Sequence, residues 1–325
     1  MIEQVVIDYK IHKYNSAKDV KEKLDYFRDL SNSGLQKLTE AEFENLKTEF
    51  IKFQNVIFTL FSDTYPTKLF RVTNNKYLYD GKKVKLQKIT DLIGPPQGKA
   101  NNGRCNLKGE SVFYAALDFK TAIWETRPQV GDYITVSEWE IKPGQKLNTH
   151  HIFHPTLTNV NKDSSNAYKA WLESKKQINP DLVEVFDELL LFLTEQYMKK
   201  VTDDEKQNYL FSANYSSRLI QQKPDANGFK IDAVCYPSVR VEYGLTNLAI
   251  VNDCVFDKLK LNKITVYDVG ETNYDTANVM TDDLIKVSPM IITTDNFDFE
   301  NNKIIYDLDA ELKLAMELHD KYNNS

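Results

Sequence analysis

Ser111-Val-Phe-Tyr-Ala-Ala-Leu-Asp-Phe-Lys-Thr-Ala-Ile-Trp-Glu125 is the stretch from which the fold class reads. Ser111-Val-Phe-Tyr-Ala115 combines β-branched, aromatic and small residues, which predicts a short buried strand. Asp118 then offers a carboxylate to the free amides of a helix start, so a short helix is predicted from there through Glu125. Tyr133–Ile141 alternates as a further strand. Upstream, Lys68-Leu-Phe-Arg-Val-Thr73 is β-like, and a Gly/Pro/Asn-rich loop runs from Ile93 to Asn106.

Outward from this centre the periodicity changes. Residues 17 to 60 read as helical, with Val20, Leu24, Phe27 and Leu30, then Leu46, Phe50, Phe53 and Ile57, at three-to-four spacing. Ser31-Asn-Ser-Gly34 separates the two helices, and Thr39 with Glu42 forms a capping box for the second. Residues 165 to 222 are again helical, interrupted near Asn179-Pro180. Phe229–Tyr236 and Asn247–Val251 read as strands, followed by short strands beyond Val255 and a helix from Leu308 to about Tyr322. The fold class is α+β, because strands and helices do not alternate as they do in a doubly wound sheet.

Composition narrows the function classes. Net charge is −6 over 325 residues, which argues against bulk electrostatic binding of nucleic acid. The charge is uneven: Thr67–Glu110 holds ten Lys/Arg and three Asp/Glu, a local 10 − 3 = +7. Such a segment suits an anionic ligand, or is a solvated lysine-rich loop. Cys105, Cys235 and Cys254 are sparse and odd in number, fitting a reducing compartment. Met1–Asp8 has no basic and apolar leader pattern, and Leu189–Leu193 is too short an apolar run for a membrane span. A soluble cytoplasmic protein is expected.

Several motifs fail on inspection. Gly94-Pro-Pro-Gln-Gly-Lys-Ala100 has one residue too few for a phosphate loop and no Ser/Thr after Lys99. No G-x-G-x-x-G follows a strand, and no G-x-S-x-G occurs. His150, His151 and His154 cluster, but they read as part of a solvent-facing connection before Pro155, so no metal is expected.

What remains is a series of five pieces: Leu69–Val72, Gly103–Asn106, Gly109–Ala115, Thr121–Glu125, and Tyr236-Pro-Ser238 with Gly244 and Asn247. Together they resemble the RES domain family, named for its Arg, Glu and Ser, and those types stand in order at Arg71, Glu125 and Ser238. The resemblance runs from Lys68 to about Lys260, with an enlarged middle. It implies an ADP-ribosyltransferase-like mixed β core, carrying here an N-terminal helical hairpin and a helical insertion. Expected boundaries are a helical extension over 1–63, a catalytic domain over 64–262 with the insertion near 155–205, and a C-terminal α/β extension over 263–325.

The same resemblance implies removal of nicotinamide from NAD⁺ by hydrolysis or phosphorolysis, in toxins restrained by a partner antitoxin. NAD⁺ is then substrate, with inorganic phosphate a possible co-substrate and no other cofactor. Cleavage of the glycosidic bond builds positive charge on the ribose. Arg71 suits a phosphate fork, Tyr114 a stacking face and a ribose contact, Glu125 stabilisation of the developing charge, and Ser238 orientation of a ribose or phosphate oxygen. Arg104 and Asn106, in the glycine-bracketed loop, are further candidates for holding the dinucleotide. Read singly, Arg71 is equally a surface arginine, Tyr114 core, Glu125 a partner for a surface Lys or Arg, and Ser238 a turn residue. Cys105 departs from the family, which usually has an aromatic there. Transfer of ADP-ribose to a macromolecule, or a non-catalytic nucleotide-binding module, are the alternatives. The segments outside the pattern could serve a homo-oligomer or a partner.

Overall fold

The computed structural model describes residues 4–9, 16–53, 56–64, 68–76, 84–154, 162–224, 228–239, 245–274, 285–287, 292–309, 311–312 and 316. The chain divides into two compact units, one of Met1–Tyr65, Pro96–Val112 and Lys146–Val251, the other of Pro66–Pro95, Phe113–Gln145 and Asn252–Ser325. Both combine helices with a sheet, so the protein is α+β.

In the first unit, α1 (Ala17–Ser33) and α2 (Glu40–Phe53) form where the spacing predicts them. Ser16 caps α1 by accepting from the Asp19 amide at 3.2 Å. The capping box forms at α2: the Thr39 amide donates to Glu42 at 2.8 Å, and the Glu42 amide to Thr39 Oγ1 at 3.3 Å. Their apolar faces meet α5 (Pro180–Tyr197) and α6 (Leu210–Ile220) in an aromatic core. Phe27 packs edge-on to Phe50 with ring centroids 5.3 Å apart, and Phe50 on Phe211 at 4.8 Å.

Ile57 does not continue α2. Val56–Thr64 is a strand, β2, paired antiparallel to β1 (Gln4–Tyr9) on one side and β6 (Leu147–His151) on the other. The run Val56-Ile-Phe-Thr-Leu-Phe61 is β-branched and aromatic, and pairing on both edges overrides an accidental helical spacing. β6 runs parallel to β7 (Ala233–Pro237), an arrangement that needs a long crossover. The chain between them supplies it as α4 (Lys162–Ser174), α5 and α6. β8 (Thr246–Val251) then returns antiparallel to β7.

This placement corrects the expectation for the histidines. His150 and His151 are not in a solvent-facing connection; they lie inside β6 and are 1% and 5% exposed. Burial pushes the His150 imidazole down to about 3, with His151 adding to the effect, so the ring is neutral in the fold. Among the described residues no group of His, Cys, Asp and Glu is arranged to hold a metal ion.

In the second unit, β3 (Leu69–Asn74) lies between β4 (Val112–Ala116) and β5 (Tyr133–Ile141). β5 pairs with β9 (Leu259–Thr272), which also carries β10 (Ile285–Val287) and β11 (Ile292–Thr294). Short strands do follow Val255, as expected, in β10 and β11, but a helical turn, α7 (Asn252–Lys258), and the 14-residue β9 precede them. α3 (Phe119–Thr126) packs on this sheet, burying Ala122 and Ile123 against Val72, Ile134, Val136 and Val269. Of the expected C-terminal helix, residues 308, 309, 311, 312 and 316 are helical, and the rest lies outside the described residues. Among the described residues no helix is long and apolar enough to cross a membrane.

Candidate active site

Arg71 sits mid-strand in β3, opposite Ser137 of β5. Its Nη1 donates to the main-chain carbonyl of Tyr114 at 2.9 Å, and its guanidinium lies 5.5 Å from the Phe113 ring centroid. No carboxylate pairs with it among the described residues, and its Nε is buried without a partner. Burial lowers its pKa to about 10, with the Tyr114 phenol opposing the shift, so the group stays cationic at neutral pH. The side chain is half-buried, as is that of Tyr114. The structure therefore brings Arg71 and Tyr114 together, and among the described residues no carboxylate forms an ion pair with the cation.

Glu125 projects from the last turn of α3 and is half-buried, next to the buried Trp124. Asp118 fixes the start of this helix by accepting from the Thr121 amide at 2.8 Å. A carboxylate at a helix C-terminus is unfavourable, because main-chain carbonyls already concentrate negative potential there, and α3 has no basic residue in that turn.

The other candidates lie in the first unit. Arg104 is buried, and its Nη1 donates to the carbonyls of Tyr197 and, at 3.1 Å, Lys199, where α5 ends. Its guanidinium is 5.0 Å from the Tyr209 ring and 6.0 Å from that of Tyr236. Asn106 Nδ2 donates to the carbonyls of Asn101, Leu107 and Glu110 at 2.8, 3.0 and 3.0 Å, knitting the loop together. Gly98 and Gly109, with φ of 83° and 91°, take conformations open to glycine, and the Gly98 amide donates to the Gly109 carbonyl at 2.7 Å. Ser238 follows β7, is 2% exposed, and donates its amide to the Leu245 carbonyl at 2.8 Å. Tyr236, two residues earlier, pairs across the sheet with the buried Asn247. Tyr236 thus brings Arg104 close to the strand that leads to Ser238. Gly244 lies outside the described residues.

A family profile for the RES domain matches residues 68–267, more than half of the chain. The chain belongs to the RES domain family. No curated protein matches it. The RES match begins one residue before β3 and ends within β9, so it takes in Arg71, Tyr114, Glu125 and Ser238.

Three details of this RES domain were not readable from the motifs. Cys105 is fully buried, with Ser216 and Tyr197 as hydrogen-bonding neighbours, and burial pushes its thiol up to about 12. It is a packing residue of the loop, not a nucleophile. Arg104 carries a helix-end role, donating to the Tyr197 and Lys199 carbonyls where α5 ends. Glu110, not singled out in the sequence, accepts from Ser217 Oγ at 2.6 Å and the Leu107 amide at 2.8 Å, holding the loop to α6.

Proposed function

We propose that the protein is an NAD⁺-degrading enzyme that cleaves the bond between nicotinamide and ribose. The observation that carries this is Arg71: a cation in a family-matched strand, in contact with Tyr114 and uncompensated by a carboxylate among the described residues. A bound pyrophosphate would supply the missing charge, accepting two parallel hydrogen bonds from the guanidinium. Tyr114 then stacks near the nicotinamide or donates to the ribose. Glu125 stabilises the positive charge that grows on the anomeric carbon as nicotinamide leaves with the bonding electrons, and water or inorganic phosphate supplies the new oxygen. Ser238 is the candidate for orienting a substrate oxygen, and Arg104 and Asn106 are candidates for holding the dinucleotide.

An ADP-ribosyltransferase-like core, a cytoplasmic toxin or defence role, and restraint by a partner antitoxin belong to the same reading, as does any homo-oligomer. The test is chromatographic analysis of NAD⁺ after incubation with the protein, with and without phosphate. Free nicotinamide with ADP-ribose identifies water as acceptor; nicotinamide with ADP-ribose 1″-phosphate identifies phosphate. ADP-ribose found on a macromolecule would replace this reading with transfer.

A further inference from the structure

Two residues beyond Glu125 the main chain passes through a left-handed conformation at Arg127, φ 45° and ψ 57°, where α3 ends. Helices commonly close this way, and glycine is the residue the position favours. Among the described residues only Arg127 and Asn302 combine a side chain with positive φ, and asparagine tolerates that region through its short polar side chain. Arginine therefore occupies a place where the backbone asks for glycine, and the strain needs a compensating use.

The surroundings hold it rigidly. The Arg127 amide donates to the Ile123 carbonyl at 2.8 Å. Tyr274 donates its hydroxyl to the Pro128 carbonyl at 2.8 Å, and the Gly131 amide donates to Val269 at 2.7 Å. Asp132 accepts from the Gln129 amide at 2.8 Å and from Asn74 at 2.6 Å, and pairs with Lys76 at 2.9 Å. That carboxylate is thereby committed to the turn and to Lys76. The Arg127 guanidinium lies 5.6 Å from the Trp124 ring and 5.6 Å from the Tyr274 ring, whose centroids are 5.4 Å apart. It is exposed, and its side-chain donors make no ion pair or hydrogen bond among the described residues. A guanidinium laid against aromatic rings keeps its in-plane N–H groups free, which is the geometry that binds phosphate oxygens.

We propose that Arg127 is an anion-binding residue, the fork of a phosphate subsite at the end of α3, with Trp124 and Tyr274 as its platform. This deepens the reading of Glu125 as a substrate-facing residue and rests on it. The ligand is a phosphate oxygen cluster, either the diphosphate of the dinucleotide or inorganic phosphate as acceptor.

Arg127→Gly removes the fork while giving the backbone its favoured residue, so the fold is retained; Arg127→Lys keeps the charge and loses the fork. Calorimetric binding of pyrophosphate and of inorganic phosphate is measured on the full chain, beside thermal midpoints and the KM for NAD⁺. The expected result for Arg127→Gly is an unchanged or raised midpoint with about tenfold or greater weakening for one anion, the scale of a charge-assisted hydrogen bond. Arg127→Lys falls between. Weakened pyrophosphate binding with raised KM for NAD⁺ places the diphosphate there; weakening for inorganic phosphate alone places the acceptor. Affinities within about twofold of the unaltered protein for both anions, no anion binding by the unaltered protein, or a lowered midpoint in Arg127→Gly would overturn the subsite. Anion binding that depends on Arg127, in a protein that leaves NAD⁺ intact, would instead overturn the enzymatic reading alone.

Discussion

At the scale of single residues the proposed chemistry depends on how charge is left uncompensated. Arg71 is buried enough for its pKa to fall to about 10, yet the hydrogen bond its guanidinium makes among the described residues is to a carbonyl. An ion pair with a protein carboxylate would compete with the anion-receptor role proposed for it. Arg71→Lys keeps the charge but replaces a planar fork by a point charge. It is expected to reduce kcat/KM for NAD⁺ by about 10²-fold, roughly 2.7 kcal/mol of transition-state stabilisation. An effect below about threefold would show that the fork geometry is not used. Glu125→Gln preserves size and hydrogen bonding while removing the charge. A fall in kcat of about 10² to 10³ is expected, with KM nearly unchanged, because the charge is needed only as the transition state forms. A raised KM at constant kcat would place Glu125 in ground-state binding.

At the scale of elements, α3 and β6 show what was legible in the sequence and what was not. The start of α3 was legible, because Asp118 stands at the N-cap and its carboxylate accepts from Thr121. Its end was legible to within one residue, at Glu125 against Thr126, but the left-handed closure at Arg127 was not, because no glycine announces it. Asp118→Ala should cost about 1 kcal/mol of stability, measured by denaturant unfolding. Because α3 carries Glu125, kcat should fall as well; a loss of stability with full activity would separate the cap from the site. For β6, histidines before a proline suggested a loop, but pairing with β2 on one edge and β7 on the other buries them. Strand pairing across more than eighty residues leaves no local mark. Likewise Val56–Phe61 continued the helical spacing of α2 by coincidence. The buried, neutral His150 has a pKa near 3 in the fold and near 6.5 unfolded, so the unfolded chain binds the extra proton between those values. Its contribution is fully present above pH 6.5 and is lost as pH falls toward 3, by up to about 1.4 kcal/mol per pH unit. Denaturant unfolding at pH 7 and pH 4.5 should show a smaller drop for His150→Gln than for the unaltered protein; equal drops would contradict it.

At the scale of the molecule, the family match and the compact units do not share boundaries. The match begins at residue 68, whereas the unit that contains Arg104 and Ser238 also includes Met1–Tyr65. β2 pairs with β6, and Phe27 and Phe50 of the first two helices interlock with Phe192 and Phe211 of α5 and α6. Removal of residues 1–65 would expose this aromatic core and an unpaired strand edge. The truncated protein should therefore fail to give a single cooperative unfolding transition by calorimetry; a transition like that of the full chain would make the N-terminal region dispensable. Phe50→Ala should cost about 3 to 5 kcal/mol for the same reason.

The most direct measurement is release of nicotinamide from NAD⁺ by the purified full-length protein in phosphate buffer, followed by chromatography beside folded Glu125→Gln. Stoichiometric nicotinamide release by the unaltered chain, reduced at least about 10²-fold by the substitution, is the expected result. Intact NAD⁺ after prolonged incubation with folded, unaltered protein would contradict it.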